Sequence, residues 1–231
     1  MSALRERLFA GLSAVAQPER AGAMQAYMKS AMPYLGVSSV PLRQVCKELF
    51  AGLDWKDSAA WQADVLAIWR GARVREERYG AIALTGVRAA RGWQRMDALP
   101  MYEEMIVSGA WWDFVDAIAG QRLLVLLQAE PAAMKAAMLD WAVCDNMWKR
   151  RSAILCQLNA RGATDLDLLE RAIAPSLDSK EFFLRKAIGW ALRQYARTDA
   201  DWVRHYVAAH EGRLSGLSKR EALKRVGAGI P

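Results

Sequence analysis

The sequence predicts an all-α fold, and three observations carry that prediction. Apolar residues recur at the three- and four-residue spacing of a helix face along most of the chain. Convincing period-two strand patterns are absent. The breaks between apolar stretches are short and carry glycine, proline or a capping side chain.

The first clear helix is expected over 57–72. Ala60, Val65, Ile68 and Trp69 share one side, Asp64 and Arg70 fall off it, Asp57 and Ser58 offer capping oxygens, and Gly71 offers a stop. A second is expected over 73–91. Further helices are expected over 96–107, 111–127, 131–142, 147–160, 165–175, 180–197, 200–209 and 218–226. Their breaks fall at Pro100, Gly109, Pro131, Asp145-Asn146, Gly162, Pro175-Ser176 and Gly212. No linker, low-complexity segment or long single-sign charge run divides the chain, so one domain over 1–231 is expected.

The dipeptide Ala-Ile recurs at 81–82, 117–118, 153–154 and 187–188, with spacings of 36, 36 and 34 residues. Each copy lies inside an expected helix, and the spacing suits a two-helix repeat. That is the period of a HEAT-like α-solenoid, whose stacked helix pairs curve around a concave surface. An irregular helical bundle is the other arrangement open at this point.

The repeat supplies a coordinate frame. With each repeated Ala as position zero, positions −5, −1 and +3 form one stripe, and −2 lies beside it. The second repeat then carries Trp112 at −5 and Asp116 at −1. The third carries Arg151 at −2 and Ser152 at −1, and the fourth Arg185 at −2, Lys186 at −1 and Trp190 at +3. The Ile at +1 points elsewhere, as a core residue should. Spacing alone leaves two readings open: a functional face with two indoles, a carboxylate and several cations, or core beside a solvated face. Trp55, Trp61, Trp69, Trp93, Trp141, Trp148 and Trp202 are read as packing.

Composition narrows the function class. The chain has 231 residues, 53% hydrophobic and 25% charged, with a net charge of +7. Such hydrophobicity excludes disorder as the main state. No apolar run approaches the roughly 18 residues that a membrane span needs. The charged start, Met1 through Arg7, lacks the apolar core of a signal peptide, so a cytoplasmic location is expected, nucleoid-associated if the source is bacterial. Cys46, Cys144 and Cys156 form no paired motif, and His205 and His210 lie far from them, so neither a metal nor another cofactor is expected. The basic balance points to an anionic partner without choosing nucleic acid over an anionic membrane.

Five segments occur in an order that resembles the DNA alkylation repair family, and within it the AlkD-type DNA glycosylases. They are Tyr27-Met28-Lys29 through Tyr34-Leu35-Gly36-Val37, Ser108 through Asp116, Met147 through Leu155, Phe182 through Arg193, and Leu214 through Ala222. The match thins at Ser38-Ser39-Val40-Pro41. The resemblance implies a solenoid of HEAT-like repeats, with a concave basic face on duplex DNA, that removes cationic N3- and N7-alkylpurines. It places the catalytic carboxylate at Asp116, with Trp112, Arg151 and Trp190 around it, Arg150 being one residue out of register with Arg151. It extends DNA contact to Tyr27 and Lys29, while Ser152, Arg185 and Lys186 are candidates by repeat position. It also implies that the cationic base can stay stacked during excision. One copy suffices to wrap DNA, so a monomer is expected, with no membrane partner.

The residue types suit that chemistry. A cationic purine is already a good leaving group, and its departure leaves an oxocarbenium-like sugar. The enzyme then needs a negative group near C1′ and a positioned water. Asp116 answers both needs. The indoles offer π faces to a cationic lesion, and Arg151 suits a phosphate or Asp116 itself better than the lesion. Two other classes compete: a non-catalytic helical scaffold for DNA or structured RNA, and a protein-interaction adaptor. A metal-dependent enzyme is a distant third, for want of paired ligands.

Overall fold

The computed structural model describes residues 3–224 and residue 226. Among them are fourteen α-helices and no strand, as the all-α expectation required. No helix among the described residues is long and apolar enough to cross a membrane. The chain packs as two compact units, Met1–Met101 and Tyr102–Pro231. The sequence has no linker at this division, which falls within a helix.

The first unit holds α1 (Ala3–Ala14), α2 (Pro18–Met28), α3 (Ser39–Phe50), α4 (Ser58–Gly71) and α5 (Arg75–Leu84). Helix α1 packs on α3, α4 and α5, and α4 packs on α5. Leu8, Leu12, Trp61, Val65, Ile68 and Leu84 are wholly buried there, and Trp69 nearly so. Asp57 caps α4 by accepting from the Ala60 N–H at 2.8 Å, as its position suggested. The first three helices had no expectation attached; α2 buries only Met28, so its apolar period is faint.

The turn before α3 is tightly specified. Gly36 has φ +84°, and a Cβ there would stand 2.0 Å from the Gln17 carbonyl oxygen, so only glycine fits. The buried carboxylate of Glu76 accepts the N–H groups of Leu35, Gly36 and Val37 at 2.9–3.1 Å. The helix expected over 73–91 ends at Leu84 instead. The Thr85 hydroxyl donates to the Ile82 carbonyl, Gln94 donates to the Thr85 carbonyl, and the chain continues as a 3₁₀ turn, Arg88–Trp93. Side chains that bond the backbone locally compete with the helical ladder.

The second unit takes in most of α6 (Leu99–Gly109), then α7 (Trp112–Ala117), a π turn (Ile118–Leu123), α8 (Leu124–Ala129), α9 (Pro131–Val143) and α10 (Met147–Leu155). It continues with α11 (Leu166–Ile173), α12 (Phe182–Tyr195), α13 (Ala200–Ala209) and α14 (Gly216–Leu223). The helix expected over 147–160 stops at Leu155. Beyond it, Gln157 binds both the carbonyl and the N–H of Asp165, and Asn159 donates to the Gly120 carbonyl, which draws the chain off the helical path. The last expected helix, 218–226, begins earlier, at Gly216, behind the Ser215 cap; Arg225 lies outside the described residues. Helix α12 sits against α10 and, most extensively, α14. That closeness explains Gly189, where a Cβ would come within 2.5 Å of the Glu221 Cβ. All four repeated isoleucines, Ile82, Ile118, Ile154 and Ile188, are buried, as the +1 position required.

Candidate active site

The site is built from α7, α10 and the start of α12. Ala110, in the left-handed region at φ +43°, closes α6 and turns the chain, and Trp111 is the extended N-cap of α7. Trp112 and Asp116 are four residues apart on α7 and so share a face. Two residues after Asp116, at Ile118, the helix widens into the π turn. Within that turn the Gly120 carbonyl accepts from the Asn159 amide at 2.8 Å. On α10, Asn146 caps the first turn by accepting from the Trp148 and Lys149 N–H groups.

Three consecutive cations on α10 face different partners. Lys149 donates to Glu103 at 2.6 Å and stands 5.1 Å from the Trp141 ring centre. Arg150 donates to the Pro175 carbonyl and the Ser176 hydroxyl. Arg151 grips Asp116 through two parallel bonds, Nε to Oδ1 at 2.7 Å and Nη2 to Oδ2 at 2.8 Å. Its remaining nitrogen, Nη1, donates to the Phe183 carbonyl. The register question between Arg150 and Arg151 is thereby answered for Asp116 contact: it is Arg151. Arg151 is 4% exposed, and the Asp116 side chain 12%.

The pair is electrostatically poised. Burial pushes the Asp116 carboxyl above its ordinary 3.8, Arg151 pulls it back, and Asp113 adds a smaller push upward. Removing one partner of a buried pair typically costs about 3–5 kcal/mol, because the other is left unpaired.

The remaining expected residues divide. Trp112 and Trp190 are half-buried, and Trp190 lies seven residues beyond Phe183, on the α12 face that meets Arg151. Ser152 is wholly buried, and its hydroxyl donates to the Trp148 carbonyl, so it has no surface for a phosphate. Arg185 donates to the Ser179 carbonyl at 2.7 Å. Lys186 pairs with Glu221 at 2.8 Å, and Arg193 binds the same carboxylate. In the first unit, Tyr27 is 76% exposed. Lys29, also exposed, ends α2 in the left-handed region at φ +48°.

Two features went unread in the sequence. The first is an aromatic cluster against the ion pair: Phe183 lies 5.4 Å from Trp111 and 5.0 Å from Trp148, between ring centres. Trp111, Trp148 and Phe183 stand 37 and 35 residues apart, close to the repeat spacing, which was its one visible signal. The second is a groove of about 540 Å³ in the first unit, lined by Arg43, Lys47 and Arg88 over Cys46, Phe50 and Leu53. All three cations are exposed. The four-residue step from Arg43 to Lys47 was legible as one face of a helix. Among the described residues no group of three or more His, Cys, Asp or Glu is gathered to hold a metal ion.

An all-helical fold of this kind recurs in a solved structure described as a predicted DNA alkylation repair enzyme from Enterococcus faecalis. The two are 28% identical, the match covers 93% of this chain and 98% of that one, and the TM-score is 0.79. The sequence model of the DNA alkylation repair enzyme family matches residues 8–226, and the chain belongs to that family. No curated protein matches the sequence.

Proposed function

We propose that this protein is a DNA glycosylase that hydrolyses the N-glycosidic bond of cationic N3- and N7-alkylpurines in duplex DNA. The observation that carries the reading is Asp116, a largely buried carboxylate held by two parallel bonds from the Nε and Nη2 of Arg151. In the reaction the C1′–N bond breaks and its electron pair leaves with the base, neutralising the purine's positive charge. Asp116 stabilises the cationic sugar, and water adds to C1′ as its proton passes to the carboxylate or to solvent. A carboxylate in a poorly hydrated site interacts with that cation more strongly than one in bulk water. Trp112 and Trp190 contribute π faces, each worth roughly 0.5–2 kcal/mol towards a cationic group. Arg151 acts on Asp116 rather than on phosphate.

Phosphate binding falls to exposed or exchangeable cations. Lys29, with Tyr27 two residues before it, serves in this reading together with Arg43, Lys47 and Arg88. Arg185 and Lys186 join them by trading their internal partners for DNA. Ser152 is left out because it is buried. Phosphate contacts carry no sequence information, so selectivity rests on the lability of the lesion itself.

The decisive experiment is single-turnover base release from a duplex with one N7-methylguanine, for the wild type and Asp116→Asn. The wild type should exceed the spontaneous rate, and the variant should lose tenfold or more, about 1.4 kcal/mol of transition-state stabilisation. Salt-sensitive DNA binding with no release above background would instead favour a non-catalytic scaffold.

A further inference from the structure

Arg151 is held at both ends. Two of its donors occupy the Asp116 carboxylate and a third meets the Phe183 carbonyl on another helix. Its guanidinium carbon also stands 5.8 Å from the Phe183 ring centre. The orientation of the carboxylate therefore depends on where the first turn of α12 sits. That turn is located by the Phe183 ring, which contacts Trp111, the N-cap of α7, and Trp148, three residues before Arg151 on α10. The two tryptophans are themselves in contact, at 6.2 Å. One side chain thus ties together the helices that carry Asp116, Arg151 and Trp190.

We propose that Phe183 is a positioning residue for the Asp116 carboxylate, acting through Arg151. The proposal rests on the glycosylase reading for its consequence in catalysis, but its physical content concerns the free protein. Phe183 makes its contacts with the ring and the carbonyl, so what a substitution disturbs is the placement of Arg151. A small error in the placement of a catalytic group costs a large factor in rate.

A double-mutant cycle separates this role from general packing. Phe183→Ala should slow single-turnover release of N7-methylguanine by about tenfold with little change in DNA affinity, and Phe183→Tyr, which keeps the ring, should restore most of the rate. In an Arg151→Gln background the same Phe183→Ala change should alter the rate by less than about twofold. An activity-independent cycle follows the titration of the ¹³C-labelled Asp116 carboxyl in the free protein. Phe183→Ala should move its midpoint in the wild-type background and leave it in place with Arg151→Gln. Arg151→Lys provides a second cycle that retains the charge, and thermal denaturation shows which variants are folded. Additive effects in the titration cycle would overturn the proposal. A coupled titration in a wild type that releases no base would uphold Phe183 as a positioning residue and refute the glycosylase reading.

Discussion

At Asp116 two forces oppose each other, and their balance has a pH signature. Burial favours the neutral acid, while the Arg151 fork favours the carboxylate; the net direction is upward from 3.8. The proposed reaction needs the ionised form. The single-turnover rate, corrected for spontaneous release, should therefore fall as pH drops, along a limb whose midpoint lies above 3.8 and which Asp116→Asn abolishes. Stability runs the other way. The folded state holds this proton more tightly than the unfolded chain, so the group's contribution is present below the ordinary value and is lost as pH rises through the raised one. At neutral pH the buried ionised carboxylate therefore costs some stability, which in the proposed reaction serves to keep a negative charge beside the sugar. The nearness of Asp116 to Arg151 was legible from their places in the repeat, at −1 and −2. The burial of Ser152 was not, because neighbouring helix positions differ by about 100° around the axis and spacing alone does not say how wide the buried arc is.

The helices set how firmly these side chains are held. Helix α10 has only nine residues, and its first turn depends on Asn146. Loss of such a cap costs about 1 kcal/mol, which in a chain of this size lowers the melting temperature by about 2–4 °C. Asn146→Ala should show that drop by thermal denaturation, Asn146→Asp should largely avoid it, and base release should fall with the cap because Arg151 lies just beyond it. Element positions were readable where punctuation coincided with a capping bond, as at Asp57 and Asn146. They were misread where a side chain beyond the reach of a helical turn captured the backbone, as Gln94 does at Thr85, nine residues away, and Gln157 at Asp165, eight residues away. Glycine signals marked the right places with the wrong residue: Ala110 and Arg161, beside Gly109 and Gly162, adopt the left-handed backbone.

For the whole molecule the governing quantity is the excess of seven positive charges. The two cations that spacing assigned to a DNA face are internally bonded, Arg185 to the Ser179 carbonyl and Lys186 to Glu221. Arg43, Lys47 and Arg88 instead line an open groove. With about six phosphates neutralised, log affinity for duplex DNA should fall with log salt at a slope near −5. Arg43→Ala and Lys47→Ala should each flatten that slope by about one, as loss of a phosphate contact does. Arg151→Lys should leave it unchanged, since residue 151 is buried against Asp116. Affinity titrations at several salt concentrations read all three, and a slope near zero in the wild type would refute DNA as the partner.

The sequence by itself determined the all-α class, the repeat that places Ile82, Ile118, Ile154 and Ile188 in the core, and the helix on which Asp116 sits. These follow from local periodicity and from ordered motifs, which need no knowledge of what packs against what. Only the tertiary structure decided that Arg151 and not Arg150 holds Asp116, that Phe183 completes the grip, and which cations remain open to a partner. Those outcomes join residues some thirty-five positions apart. They depend on how whole helices are rotated and seated against one another, and that is decided by packing across the core rather than by any local run of residues.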